Sequence, residues 1–373
     1  MHGLVKALIV ILLLPVAWVI GLLVFTQTEV QSVSWNPPAA PDMQSGPYAV
    51  NTALNEALIH GRYNLLQPES LAVGPRGLLY TGMSTGEIVQ FSPDVLALPD
   101  NPGTTPFALV ANTLGRPLGL VFHPDGFLVV ADAEKGLLKV TLNGDITVLS
   151  TEAEGSPFKF VDDVAVSADG QFAYFSDASS KFDLNEYVLD ILEHGANGRL
   201  LRYSFATGET EVLLSGLQFA NGVTLASDDS YVLVNETGAY RIIRYWLSGP
   251  KKGKPDVFAD NLPGFPDNIR TDEQGNHWVA IPSLRTPLID KLADKPEVRD
   301  QLAKVLAKVE FPVQPYAMAV AFSPEGKVVA NLQAKKARDY YYYITQVTPF
   351  DGKLFFGSVH INGIASIANP LLP

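Results

Sequence analysis

A strand–turn–strand unit recurs six times along this chain, and it restricts the fold more than any other feature. Each unit has a short apolar strand, a turn rich in Asp, Gly, Pro or Glu, and a second strand of β-branched and aromatic residues. The units begin about 45 to 60 residues apart, and most continue into a third strand such as "GLLKVTLNGD". They read "ESLAVGPRGLLYTG" from Glu69, "LGLVFHPDGFLVVA" from Leu118, "DDVAVSADGQFAYFS" from Asp162, "NGVTLASDDSYVLVN" from Asn221, "DNIRTDEQGNHWVA" from Asp267 and "MAVAFSPEGKVVAN" from Met318.

Such a repeat predicts an all-β protein, a six-bladed β-propeller over residues 59–373. A β-sandwich is the alternative, but sandwiches do not repeat a unit of three or four strands six times. We expect the last strands, within "YYYITQVTPFDGKLFFGSVH", to complete the sixth blade together with the N-terminal segment near "IHGRYN". The closure would join the two ends of the domain.

Two stretches with helical spacing interrupt the repeat, near 178–197 and 286–309. The second is the clearest soluble helix pattern, with Leu288, Leu292, Leu302, Val305 and Leu306 recurring on one face. Either insertion could cover the mouth of the central channel or pack on the rim. The second could also be an interfacial helix that touches a membrane.

Composition narrows the class of protein. The 373 residues are 47% hydrophobic, which is enough for a large core. The net charge of −12 argues against nucleic acid as a partner, because phosphates require a basic surface. The chain has no cysteine, which excludes disulfides, thiolate zinc sites and a cysteine nucleophile.

The N-terminus carries an uncharged apolar run from Ala7 to Phe25, roughly the length of a membrane-spanning helix. Lys6 precedes the run and Glu29 follows it, so the charge bias predicts a cytoplasmic N-terminus and a propeller on the periplasmic, lumenal or extracellular side. We expect residues 1–27 to form a single uncleaved anchor and residues 28–58 to form a stalk. A cleaved signal peptide is the alternative, although a small-x-small cleavage pattern is absent.

Polar residues recur at one phase of the repeat. The position eight residues before each turn glycine, or its equivalent, lies at the start of the first strand. Because the innermost strand of each blade lines the central channel, equivalent positions form a ring around the propeller axis. Four of the six positions carry an oxygen-bearing side chain, and Asn268 follows the fifth: Glu69, Leu118, Asp162, Asn221, Asp267 and Met318.

Crowded carboxylates repel one another, and a divalent cation removes that cost. Ca²⁺ accepts six to eight oxygens in irregular geometry, whereas Mg²⁺ requires an octahedron and zinc prefers His and Cys. The ring therefore predicts a calcium site formed by Glu69, Asp162, Asn221, Asp267 and Asn268. The alternative is that these side chains only cap turns and bind local backbone N–H groups.

The stretches "FVDDVAVSADGQFAYFSDASSKF", "LQFANGV", "LPGFPDNIR" and "FDGKLFFGSV" resemble the strictosidine synthase-like family over about residues 60–360. The wider superfamily includes the gluconolactonases and the paraoxonases. The resemblance implies a six-bladed propeller with an axial calcium, and the positions of the calcium ligands in these relatives fall on the same five residues. Asp162 replaces the usual asparagine and adds a negative charge.

Two departures bear on the chemistry that the resemblance implies. Leu118 stands where paraoxonases have a proposed histidine base, and Thr345 lies near the place of the glutamate used in strictosidine synthesis. Alkaloid-type condensation is therefore not expected.

Two functions remain open at the sequence level. One is a calcium-dependent hydrolase of esters or lactones, an arylesterase- or lactonase-like enzyme, with Asp267 and Asn221 as catalytic residues and Asp162 and Arg116 as substrate contacts. Arg116 could instead be a salt-bridged residue of the rim. The other function is a non-catalytic binding or scaffold propeller that calcium stabilises.

Overall fold

A computed structural model describes residues 17–97, 107–309, 314–334 and 341–372. Six four-stranded antiparallel sheets form the blades of a β-propeller, as the repeat predicts. Blade 1 consists of Leu71–Val73, Leu79–Gly82, Glu87–Phe91 and Ala108–Asn112. Blade 2 consists of Pro117–Phe122, Leu128–Asp132, Gly136–Val140 and Ile146–Ser150. Blade 3 consists of Val161–Val166, Phe172–Asp177, Gly198–Ser204 and Thr210–Leu217.

The other three blades follow the same order from the inner strand outward. Blade 4 consists of Ala220–Leu225, Tyr231–Glu236, Arg241–Trp246 and Pro255–Ala259. Blade 5 consists of Ile269–Thr271, His277–Ala280, Met318–Phe322 and Val328–Gln333. Blade 6 consists of Ile344–Phe350, Lys353–Ser358, Ile364–Ala368 and the N-terminal strand Leu58–His60. A small hairpin, Glu152–Ala153 with Ser156–Pro157, precedes blade 3.

The N-terminal strand closes the propeller. Leu58 pairs with Ser366 and His60 pairs with Ile364, so the first strand of the chain becomes the outer strand of blade 6. This confirms the closure expected from the segment near "IHGRYN". The pairing joins the two ends of the domain in one sheet.

Helices fill the two insertions that the sequence indicates. Tyr187–Glu193 lies between the second and third strands of blade 3, and Pro287–Leu292 and Pro296–Leu306 lie between the second and third strands of blade 5. In an antiparallel blade this connection returns to the end where the inner strand begins, so both insertions lie at the same mouth of the channel. Short 3-10 helices span Ala53–Glu56, Pro75–Gly77, Pro93–Ala97, Leu184–Glu186 and Thr237–Ala239.

Side chains between neighbouring blades form the core. Between blades 4 and 5, Leu233, Ile242, Val279 and Val320 belong to one cluster and are each fully buried. Along the strand Met318–Phe322, residues 318, 320 and 322 belong to this cluster while residues 319 and 321 belong to the next one, which is the pattern of a sheet with both faces covered. Burial of each such side chain stabilises the fold by about 1.5–3 kcal/mol.

The segment predicted as a stalk, residues 28–58, lies against the propeller in the structure. The side chain of Val30 packs among those of the helical insertions, and the backbone N–H of Val33 donates to Glu193 O at 2.8 Å. Further along, Gln333 Nε2 donates to Tyr48 O at 3.0 Å.

Part of the predicted membrane anchor, residues 1–16, lies outside the described residues, and residues 17–25 are helical. Over the part of the chain that the structure describes, helices fall short of the length and apolar character needed to cross a bilayer.

Candidate metal centre and cavity

The predicted ring residues come together at the start of the inner strands. Glu69 precedes blade 1, Asp162 and Asn221 lie in the first strands of blades 3 and 4, and Asp267 and Asn268 directly precede blade 5. All except Asp267 are at least 95% buried, and Asp267 is half-buried. One cavity is lined by Glu69, Asp162, Asn221 and Asp267 together.

The sixth ring position was assigned wrongly. Met318 lies in the third strand of blade 5, fully buried in the core, because the helical insertion separates this strand from the second one. The unit that begins at Met318 therefore contains the two outer strands of blade 5. In blade 6 the strand register makes Thr345 the counterpart of Asp162, because Ile344 pairs with Ser358 as Val161 pairs with Asp177. Its Oγ1 donates to Glu69 O at 2.7 Å.

Within the part of the chain that the structure describes, three buried oxygen atoms at the ring lack a hydrogen-bond partner: Glu69 Oε2, Asn221 Oδ1 and Asn268 Oδ1. The second carboxylate oxygen of Glu69 accepts a hydrogen bond from Asn268 Nδ2 at 2.5 Å, which orients both side chains. Buried acceptors without a donor cost about 1–3 kcal/mol each, so native proteins rarely retain them. A cation bound by these oxygens would remove that cost.

The pKa values of the carboxyl groups also favour a bound cation. Burial, followed by repulsion from Asp163, raises the pKa of Glu69 to about 7, while Arg116 acts in the opposite direction. Burial and the charges of Glu69 and Asp267 raise the pKa of Asp162 well above its ordinary value. Burial and the charge of Glu69 do the same to Asp267. The three carboxyl groups therefore disfavour one another's ionised forms unless a cation lies between them.

The donor set is mixed rather than purely acidic. Among the described residues, His, Cys, Asp and Glu side chains do not form a group of three or more arranged to hold a metal ion. Two of the five candidate ligands are the amides Asn221 and Asn268, which are not among those four residue types. Carboxylate and amide oxygens together are the ligands that Ca²⁺ accepts, so the residues present fit this ion.

A glycine allows the ring to close tightly. Gly222 follows Asn221, and a Cβ atom at this position would lie 2.5 Å from Asn268 Cα. The backbone N–H of Gly222 donates to Asp267 O at 3.3 Å. The "NG" pair in the sequence thus brings blade 4 against the loop that carries Asp267.

Two residues that support Asp267 were not identified from the sequence. Asn235 is fully buried at the end of the second strand of blade 4, and its Nδ2 donates to Asp267 O. Thr237 Oγ1 donates to Pro266 O at 2.6 Å. An amide at the end of the apolar run "YVLVN" was the available signal, since buried polar groups require partners.

Arg116 also lines the cavity, as the sequence predicts. The guanidinium donates through Nη2 to Gln67 O at 3.0 Å, and among the described residues its Nη1 has no partner, so the salt bridge of the alternative reading is not seen there. Leu118 is buried beside it and offers no group that can take a proton.

The cavity has a volume of about 400 Å³, which suits a small organic molecule. Helix Tyr187–Glu193 and the insertion of blade 5 form much of its wall, so both insertions act as a cover over the channel mouth. His360 and Tyr343 from blade 6 also line it and were not identified from the sequence. The apolar lining includes Leu118, Phe160, Leu184, Val188, Ile191, Leu192, Phe219, Phe265, Ile289 and Leu306.

The fold and site define a class: a six-bladed propeller with buried carboxylate and amide oxygens at the covered mouth of its channel. Comparison with known proteins identifies the family. Family models described as strictosidine synthase and as the N-terminal part of strictosidine synthase-like proteins match residues 162–250 and 46–91. The chain belongs to the strictosidine synthase-like family.

Relatives in this family match most of the chain. Adipocyte plasma membrane-associated protein of Salmo salar is 36% identical over 338 residues, which cover 85% of this chain and 79% of that protein. Strictosidine synthase-like protein 13 of Arabidopsis thaliana is 35% identical over 337 residues, covering 82% of this chain and 77% of the relative.

Solved structures share the fold at low sequence identity. A gluconolactonase of Xanthomonas campestris has a TM-score of 0.59 and 14% identity, covering 93% of this chain and 99% of its own. The calcium-binding protein regucalcin of Agrobacterium tumefaciens has a TM-score of 0.53 and 16% identity, covering 81% and 89%. These similarities establish the propeller fold.

Proposed function

We propose that this protein is a calcium-dependent hydrolase of carboxylic esters or lactones. The observation that carries the proposal is the set of three buried oxygens without a partner among the described residues, Glu69 Oε2, Asn221 Oδ1 and Asn268 Oδ1, beside an apolar cavity. Similar structures described as a gluconolactonase and a calcium-binding regucalcin support it.

The residues of the centre would share two tasks in this proposal. Glu69, Asp162, Asn221, Asp267 and Asn268 would hold the ion, which, when bound, would polarise the substrate carbonyl as a Lewis acid. Asn221 would also orient that carbonyl. Asp267 is half-buried and lines the cavity, and the raised pKa of this carboxyl group suits a general base that accepts the proton of the attacking water.

The helical cover would exclude bulk water from the reacting groups. Exclusion of water strengthens the electrostatic interactions at the centre, which act on the charge that develops on the carbonyl oxygen. The same cover restricts the substrate to a small molecule, because the cavity measures about 400 Å³.

Turnover of phenyl acetate and a δ-lactone by the purified full-length chain tests the proposal. We expect hydrolysis with calcium, loss of it with a chelator, and a decrease of at least about 100-fold in kcat for Asp267→Asn, the low end for loss of a general base. Asp125→Asn, whose side chain is 79% exposed on a blade 2 turn, is the matched control. Hydrolysis that persists with chelator or in Asp267→Asn would refute the proposal.

The second candidate function is a non-catalytic binding or scaffold propeller. Buried Leu118 favours it, because this position offers no proton acceptor beside the centre. In that case the chelator would lower the melting temperature while neither ester nor lactone is hydrolysed with calcium present. Strictosidine-type condensation is not proposed, since Thr345 is buried and its hydroxyl donates a hydrogen bond to Glu69 O.

We also propose that residues 1–27 anchor the protein to a membrane, with the N-terminus cytoplasmic and the propeller on the opposite side. The relatives named as plasma membrane-associated support this, as do the exposed apolar side chains of Trp18, Ile20 and Phe25 in the helix 17–25. Resistance of the full-length chain to alkaline extraction tests anchoring, and protease protection of the propeller in sealed vesicles tests the orientation.

A further inference from the structure

Arg116 is a buried cation with unused hydrogen-bond donors. Its side chain is 7% exposed and lines the cavity, and its Nη1 has no partner among the residues of known position. In the described part of the chain, no carboxylate forms an ion pair with it, although Glu69 and Asp132 lie near enough to affect its pKa. Burial lowers the pKa of this guanidinium, which stays protonated at neutral pH because arginine is so strongly basic.

The local structure holds Arg116 in place beside the cavity and engages one carboxylate oxygen of the neighbouring Asp132. Asp132 Oδ1 accepts backbone N–H groups of Arg116, Glu134 and Lys135, each at 3.0 Å. Gln67 has a positive φ of 48° and presents its carbonyl to Nη2. The backbone and one side of the guanidinium are therefore held in place, and the other side remains available to a ligand.

A buried arginine without a counter-ion is rare, because the desolvated charge is costly unless it is paired. A ligand carboxylate would supply both the charge and the acceptor oxygens, and a charge-assisted hydrogen bond is about twice as strong as a neutral one. The nearby carboxyl groups of Glu69, Asp162 and Asp267 would oppose an anion on their own. A bound divalent cation would offset two of those three negative charges and so reduce that opposition.

We infer that the substrate is an apolar molecule that carries a carboxylate, and that Arg116 is the subsite for this carboxylate. The inference rests on the proposed function for the reaction itself but concerns binding alone. Leu118, Phe160 and Phe219 would contact the apolar part of the molecule, since they line the same cavity. The substrate is thus an ester or lactone of an amphiphilic acid rather than a neutral sugar lactone.

Binding of octanoate and 1-octanol to the calcium-loaded full-length chain, measured by titration calorimetry, tests the inference without turnover. These probes share one alkyl chain and differ in the charged end. We expect octanoate to bind at least about tenfold more tightly than 1-octanol. Arg116→Met should abolish the preference and Arg116→Lys should retain part of it.

Arg76→Met is the matched control, since Arg76 is exposed on the turn at the opposite end of the blade 1 inner strand. It should keep the full preference for octanoate. Equal affinity of the native chain for both probes, or an equal loss for both in Arg116→Met, would overturn the inference. If Arg116→Met does not fold, the ratio of octanoate affinity to 1-octanol affinity in Arg116→Lys and Arg116→Gln tests the inference instead.

Failure of the inference and failure of the proposed function give different results. Octanoate binding through Arg116 without hydrolysis of any ester would leave the carboxylate subsite intact and refute the hydrolase. Calcium-dependent hydrolysis without a preference for octanoate would support the hydrolase and refute the carboxylate subsite. In the enzyme, the half-ester mono-4-nitrophenyl suberate should have a lower KM than 4-nitrophenyl octanoate, and Arg116→Met should remove that difference.

Discussion

Asp163 and Arg270 form a bidentate ion pair inside the propeller, with Nη1 2.6 Å from Oδ2 and Nη2 2.7 Å from Oδ1. Asp163 belongs to blade 3 and is fully buried, whereas Arg270 belongs to blade 5. Asp163 Oδ2 also accepts the backbone N–H of Val223 in blade 4 at 2.9 Å. The pair therefore joins three blades directly beside the ring residues Asp162 and Asn268.

Arg270→Met should destabilise the protein by about 3–5 kcal/mol, because it leaves the Asp163 carboxylate buried without its partner. Urea denaturation measures the loss. The double variant Asp163→Leu with Arg270→Met should recover part of it, since no unpaired charge remains. Strictly additive losses would show that the ion pair does not couple the two residues.

Asp267→Ala should lower the affinity for calcium at least tenfold, because the centre loses one of its three ring carboxylates. Calorimetric titration of the chelator-treated full-length chain with calcium gives the affinity. Asp125→Asn, with its exposed side chain, should bind calcium like the native chain. Equal affinity in Asp267→Ala would exclude Asp267 as a ligand.

Protonation of His277 should lower the free energy of unfolding in acid. This residue is 1% exposed, and its ring nitrogens pair with Tyr231 Oη at 3.0 Å and Thr271 Oγ1 at 2.9 Å. Burial lowers its pKa to about 4, against an opposing effect of Asp272. Since the unfolded chain binds the proton near pH 6.5, the contribution of His277 is complete above that pH and decreases by about 3 kcal/mol as the pH falls to 4.

Urea midpoints of the native chain and His277→Gln, measured from pH 7.5 to 4, isolate this effect. The stability difference between them should narrow as the pH falls, because glutamine does not titrate. His194, whose pKa burial lowers to about 3, contributes with the same sign in both proteins and cancels. A difference that is constant with pH would contradict the assignment.

Arg299 should hold the helical cover closed over the cavity. It is 1% exposed and donates to Leu192 O at 2.6 Å, to Ala293 O at 3.1 Å and to Val33 O. Arg299→Met should lower the free energy of local opening by about 2–4 kcal/mol, since several charge-assisted hydrogen bonds are lost.

Hydrogen exchange should show this opening as faster exchange over Tyr187–Glu193 and Pro296–Leu306, with little change in the blades. Lys291→Met, on the surface of the same insertion, provides the comparison. Uniformly faster exchange across the propeller would mean that Arg299 stabilises the whole domain rather than the cover.

Much of the candidate site could be predicted because each blade repeats the same local pattern. Glu69, Asp162, Asn221 and Asp267 share one phase relative to a turn, and equal phase in repeated blades means equal height along the channel. The prediction failed at Met318, where the helical insertion in blade 5 displaced the outer strands from the expected count. Thr345 holds that position instead.

The sequence by itself determined the propeller, its closure by the N-terminal strand and the ring of oxygen-bearing side chains, because alternation and turn chemistry act over a few neighbouring residues. Only the tertiary structure decided which partners these side chains have. Arg116 meets Gln67 and Asn235 meets Asp267 across blade boundaries, at separations of 49 and 32 residues. Such contacts depend on how whole sheets pack against one another. The periodicity of a strand does not show which residues of another blade it will meet.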